Sequence, residues 1–198
     1  MALPCRAVWT LLEAQLAGCH DSDVSWFDGG APRSDEEAVF LAALRGEAAG
    51  WDLDVTPEDT SALTVLVPLY VDVSIPRLPH GTNKNTVLQG AYWASGPAGL
   101  TLQAEWGDSF LLDAGGNDDD LHLGGVTLGP EPAASILANW FAAQLRRPIQ
   151  RIDWIGADGK AIASEWRLAD TGRMVASEGS WLRRRRSPTR RMTARPQP

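Results

Sequence analysis

Between Leu63 and Ile75 every second position is apolar: Leu63, Val65, Val67, Leu69, Val71, Val73 and Ile75. A period of two marks one face of a β-strand. The positions between them, Thr64, Leu66, Pro68, Tyr70, Asp72 and Ser74, are half polar, which suits a sheet packed on one side and partly wet on the other. Pro68 cannot donate a ladder hydrogen bond, so the run predicts either an edge strand or two strands meeting at a bulge.

The same reading extends along the chain. Residues 86–95 predict a strand, Gly96 to Gly99 a turn, and Leu100, Leu102, Ala104 and Trp106 the inward face of the next strand. A three-residue loop at Gly107-Asp108-Ser109 would pair Trp106 with Phe110 and Ala104 with Leu112. Leu121 to Leu128 predicts a further short strand. Helical spacing appears in three places. Residues 4–18 carry Val8, Leu11, Leu12 and Leu16 on one stripe, with Gly18 as the stop. Ser34 and Glu37 form a capping box ahead of Val39, Phe40, Ala43 and Leu44, and Gly50 ends that helix. Ile136, Leu137, Trp140, Phe141 and Leu145 make a broad stripe over 131–147, which Pro148 stops. A hairpin follows over 149–168, its loop Ala157-Asp158-Gly159 pairing Trp154 with Ile162 and Arg151 with Glu165. Residues 170–182 add a last short strand ending at Trp181.

Runs of strands rather than strict β-α alternation indicate an α+β fold. The expected architecture is a set of N-terminal helices, a mostly antiparallel sheet with one long amphipathic helix packed on it, and a C-terminal β-hairpin. Residues 1–182 form a single domain: a helical part over 1–50, strands over 61–128, the helix and the hairpin. Residues 183–198 have no apolar pattern and are expected to be a disordered Arg-rich tail.

Composition adds a charge asymmetry. The chain of 198 residues has a net charge of −7, but residues 1–182 hold 11 basic and 25 acidic residues whereas 183–198 hold seven Arg and no acid. An acidic body repels nucleic acid and anionic membrane, while the tail attracts both. Cys5 and Cys19 lie about 21 Å apart on a continuous helix, too far for a disulfide, so they read as free thiols in a reducing, cytoplasmic setting. Leu16-Ala17-Gly18-Cys19 resembles a bacterial lipoprotein cleavage box, but Glu13 and Gln15 interrupt the apolar run that a signal segment needs. No apolar segment is long enough to cross a membrane.

Candidate chemistry is sparse. Gly107-Asp108-Ser109 with Asp119-Asp120-Leu121-His122 resembles the nucleophile motif and Asp-His pair of GDS-type serine hydrolases, in the right order but with the two far closer together than in that family. Gly115 to Asp120, followed by Leu121 to Gly125, resembles one copy of a calcium-binding glycine-aspartate repeat, a unit that works stacked in several copies. His80 with Lys84, in the turn-rich stretch Pro76 to Asn85, is the other catalytic-looking pair. The three His show no metal-ligand spacing and there is no phosphate loop or dinucleotide fingerprint, so no metal and no cofactor is expected.

Nine Trp in 198 residues, and the acid-Trp neighbours Glu105-Trp106, Asp153-Trp154 and Glu165-Trp166, point to recognition instead. The expected function is a non-enzymatic acidic protein-binding module, adaptor, chaperone-like or immunity-like, that grips a protein partner on a sheet face through Trp106, Trp154, Trp166, Glu105 and Glu165. Such a face should expose its Trp side chains in one apolar patch. The alternatives are a nucleic-acid-associated protein working through Arg183, Arg184, Arg185, Arg186, Arg190 and Arg191, and an unrecognised hydrolase using His80 or His122.

Overall fold

The structure is a computed structural model describing residues 25–64, 68–76, 78, 87–96, 99–107, 117–179 and 190–194. The expected first helix with Cys5 and Cys19, the His80 and Lys84 pair, Asp108-Ser109, Phe110, Leu112, Gly115, Trp181 and Arg183 to Arg186 lie outside these residues. The described elements are α1 (Asp35–Ala49), a 3-10 turn at Pro57–Asp59, β1 (Thr60–Leu63), β2 (Leu69–Ser74), β3 (Val87–Gly96), β4 (Gly99–Trp106), β5 (Leu121–Val126), α2 (Pro130–Leu145), β6 (Ile149–Ile155), β7 (Ala161–Leu168), β8 (Met174–Gly179) and β9 (Arg190–Ala194). They build two antiparallel sheets, β1-β2-β3-β4-β5 and β8-β7-β6-β9. The fold is α+β.

The alternating run that begins at Leu63 is folded back on itself. β1 and β2 pair antiparallel, Thr60 with Val73, Ala62 with Val71 and Leu63 with Tyr70. Partners share a face, and here an odd position always faces an even one. The buried side is therefore Thr60 and Ala62 in β1 but Leu69, Val71 and Val73 in β2. Leu63, in phase with the apolar series on paper, sits on the opposite face. Pro68 stands directly before β2, where its missing N–H costs the ladder nothing.

Both helices pack on one face of the five-stranded sheet and on each other. Ser34 caps α1 by accepting the Glu37 N–H at 3.2 Å, but the Glu37 carboxylate takes the Arg33 N–H and guanidinium rather than the Ser34 N–H that a capping box predicts. Phe40, Leu41, Leu44 and Ala48 are buried, whereas Val39, expected on the apolar face, is 37% exposed. In α2, Leu137 and Phe141 are buried alongside Ala133, Ala134, Ala138 and Ala142. The alanines let the helix lie close to the sheet. Its nearest approach is at Gly90, where a Cβ would stand 2.8 Å from Leu137 Cδ2 and 3.2 Å from Val71 Cγ2. Leu137 is fully buried and has nowhere to retreat. Gly90→Ala is expected to lower the unfolding free energy by about 1–3 kcal/mol through overpacking, read as a lower urea midpoint with an unchanged slope.

Trp26 and Phe27 enter the core at the ends of the helices. Phe27 is fully buried, stacks on Phe141 with centroids 6.1 Å apart, and sits edge-on to Trp51. Trp26 also meets Trp51 edge-on at 5.4 Å. Phe27 holds a left-handed φ of 51°, an unfavourable backbone for an aromatic residue. Its N–H donates to Thr60 Oγ1 at 2.7 Å and its carbonyl accepts from Arg45, which fixes that conformation.

Two register expectations need correction. Ala104 does not pair with Leu112: its partners are Gly90 on β3 and Leu121 on β5, so both edges of β4 are filled there. In the β6–β7 hairpin the loop is as read, with Gly159 at φ 77° and Gly156 N–H donating to Lys160 O. Ile155 then pairs with Ala161, but a bulge shifts everything beyond it by one, so Trp154 meets Ala163 and Arg151 meets Trp166. Ile162 is the extra residue.

The tail expectation also changes. Arg190–Ala194 forms β9 and pairs antiparallel with β6, Arg190 beside Asp153 and Ala194 beside Ile149. β6 had an unfilled edge, and Arg190-Arg191-Met192-Thr193-Ala194 contains neither Pro nor Gly to prevent pairing.

Candidate functional site

Trp106, Trp154 and Trp166 are only 7%, 6% and 7% exposed, so they do not form the exposed patch that the sequence reading required. Trp106 lies on the helix side of the sheet and donates its indole N–H to Gln144 Oε1 at 2.9 Å. Trp166 joins the main core with Leu168, Val175 and Ala176, while Trp154 packs with Ile152 and Ala163 in a separate small cluster. Their acidic neighbours point elsewhere for a simple reason: adjacent strand residues face opposite sides of a sheet. An acid-Trp dipeptide in a strand cannot offer both side chains to one surface. Glu105 is half-buried on the face opposite Trp106. Glu165 is buried and paired with Arg167 at 2.7 Å. Arg151 stacks over the Trp166 ring at 5.2 Å and binds Asp153 at 2.8 Å.

The acidic turn before β5 is the centre of a charged clasp between the two sheets. Asp119 accepts from Arg147, just past α2, and from Arg173, at the start of β8. Asp120 accepts from Arg173 at 2.6 Å, and Asp170 from Arg147 at 2.8 Å. Arg173 also donates to Trp106 O, and Arg147 to Gln144 Oε1. Burial raises the Asp119 pKa, but the Arg147 hydrogen bond and charge, then the Arg173 charge, outweigh it and hold the carboxyl below its ordinary value. Asp119 and Asp120, in the turn that resembles a calcium-binding repeat, are thus engaged by guanidinium groups. Among the described residues no group of three His, Cys, Asp or Glu is arranged to hold a metal ion.

The remaining constellation is on the face of the five-stranded sheet opposite α1 and α2. Register lines up Ser61, Asp72, Gln89 and Glu105 in one row across β1 to β4. The adjacent row is Leu63, Tyr70, Ala91, Gln103 and His122, across all five strands. Trp93 and Thr101 pair beyond it, both half-buried. Tyr70 and Ala91 are buried but belong to neither apolar cluster of the described residues. At the centre, Gln89 is 2% exposed and its Oε1 has no hydrogen-bond partner. Ser61 Oγ donates to Asp72 Oδ2 at 2.8 Å, and desolvation pushes the Asp72 pKa up. Toward β5 the face opens at His122, which is exposed and lies 2.8 Å from the Gln103 amide through Nδ1.

Comparison with protein-family models, with curated proteins and with solved structures finds no match. Function therefore rests on this geometry. His122 meets an amide rather than a carboxylate, and Ser164, at 2.7 Å from Asp153, shares that carboxylate with Arg151 rather than with an imidazole. Neither arrangement activates a nucleophile in the Ser-His-acid manner. No helix among the described residues is long and apolar enough to cross a membrane. The row on the sheet was beyond the reach of sequence reading because its members are 11, 17 and 16 positions apart and meet only through the registers of three strand pairs.

Proposed function

We propose that the chain is a non-enzymatic module that binds a protein partner on the face of the five-stranded sheet opposite α1 and α2. The observation that supports this reading is the rim of that face, where half-buried Trp93, Thr101 and Gln103 lead to exposed His122 around a buried centre of Tyr70, Gln89 and Ala91. Half-buried aromatic and amide groups with a polar rim are what a recognition surface carries. Trp93 replaces Trp106, Trp154 and Trp166 as the Trp on that surface. The acidic balance of residues 1–182 favours a partner with a basic complementary patch.

The reading is tested by site-specific photo-crosslinking in the native host. A photoreactive phenylalanine at His122, on the rim of the face, should give one discrete protein adduct. The same group at Val39, exposed on α1, should give none. Adducts of equal yield from both positions, or none from His122, would overturn the sheet face as the binding surface.

A further inference from the structure

We propose that β5 takes up an extended segment of the partner protein as an added strand, an inference that rests on the sheet-face reading above because His122, on the rim of that face, belongs to β5. Among the described residues β5 ends the five-stranded sheet, bonded to β4 on one side. Backbone groups of successive residues alternate between the two edges of an antiparallel strand, so every second residue of β5 directs its N–H and C=O away from β4. His122, Gly124 and Gly125 are exposed along it.

The four sheet edges differ in how they are guarded. β1 is covered, since Ala62 donates its N–H to Asp28 O and bridges Gly29. β8 carries exposed Glu178, and β9 carries Arg190 and Arg191. Charged side chains of this kind discourage a further strand from pairing with an edge. Leu121–Val126 reads Leu-His-Leu-Gly-Gly-Val and holds no Lys, Arg, Asp, Glu or Pro. Its one irregularity is the bulge at Gly124 and Gly125, where Gly125 has a φ of 65°. The bulge bends the strand, so the addition spans Leu121 to Gly124.

The surroundings of β5 define the chemistry of the segment. Leu121 and Leu123, opposite Ala104 and Leu102, pack on the main core yet are only half-buried. Trp140 donates its indole N–H to Asp119 O, which sets it at the head of β5, and half-buried Ile136 lies one turn earlier on α2. The opposite side presents His122 and Gln103. A segment with apolar residues at alternate positions covers the leucines and places polar residues beside His122, the pattern by which a sheet edge reads an extended peptide. Asp118, exposed just ahead of β5, favours a basic residue at the C-terminal end of an antiparallel segment.

The test uses the full-length protein and an octapeptide of alternating valine and threonine that ends in two arginines. Two analogues are methylated on the backbone nitrogen, one at every valine and one at every threonine. Each loses the N–H groups of one edge and keeps all its side chains. The parent peptide should slow amide hydrogen exchange at alternate residues of Leu121 to Gly124 at least tenfold. One analogue should bind at least tenfold more weakly than the parent and the other equally well. Equal binding by all three peptides, slowed exchange in β8 or β9 instead of β5, or no binding of the parent at about 1 mM would overturn the added strand. Alternate β5 amides already protected in the free protein would overturn it in favour of another part of the chain filling that edge. A His122 adduct in the native host without the alternating signature keeps the sheet face and removes the added strand. No adduct and no peptide effect removes both readings.

Discussion

Replacing Phe40 with alanine should lower the unfolding free energy by about 3–5 kcal/mol, the usual cost of truncating a fully buried aromatic ring. Phe40 has no exposed surface and lies flat on Tyr92, with ring centroids 4.1 Å apart and planes 16° from parallel. That stack joins α1 to the central strand of the five-stranded sheet. Tyr92 cannot compensate by moving toward a polar partner, since its hydroxyl has none. Its pKa is pushed up to about 12 by burial and by the charges of Glu36, Glu37 and Glu131. The phenol therefore stays neutral and acts as an apolar plate. Because small domains are stable by only about 5–15 kcal/mol, the variant should unfold at a much lower urea concentration. Val39→Ala, one residue away and 37% exposed, should change stability by less than about 0.5 kcal/mol. A similar loss for both would mean that the helix face is rotated from the one described.

That contrast shows what the sequence makes legible and what it does not. Strand β4 could be read from its alternation, since Leu100, Leu102, Ala104 and Trp106 are buried as the pattern requires, even though bulges interrupt its pairing with β3 beyond Trp93 and with β5 between Leu100 and Leu102. The stretch from Leu63 could not, because the chain turns back and the phase of the buried face inverts between β1 and β2. The loop of the β6–β7 hairpin was visible in Ala157-Asp158-Gly159, but the bulge at Ile162 has no local signature and moves Arg151 from Glu165 to Trp166. Gly90 reads as a weakness in a strand, yet its role is to admit Leu137. The Ser61, Asp72 and Gln89 row is invisible for the same reason as the clasp: its members are brought together by tertiary register and carry no motif. The Trp residues misled because abundance says nothing about side, and strand parity alone already separates each Trp from its acidic neighbour.

Asp119→Asn is expected to cost about 2–3 kcal/mol, since it removes the one carboxylate that two guanidinium groups share while leaving both cations largely withdrawn from water. The Arg147 and Arg173 side chains are 13% and 16% exposed, so water replaces the lost partner poorly. Trp140 donates to the backbone carbonyl of Asp119, not to its carboxylate, so that bond survives the change. The pH dependence separates charge from packing. Asp119 and Asp170 both titrate below the ordinary aspartate value of 3.8 in the folded protein, Asp170 chiefly through its hydrogen bond from Arg147. A depressed folded-state pKa stabilises above the unfolded value, and that contribution disappears as pH falls through the folded one. Asp72 acts in the opposite sense, because its raised pKa costs stability above 3.8 and nothing once it is protonated. The stability of the native protein should hence fall steeply below 3.8, and Asp119→Asn should show a shallower fall, the two converging once the native carboxyl is protonated. Curves that stay parallel through that range would place the loss in packing and leave the clasp without an electrostatic role.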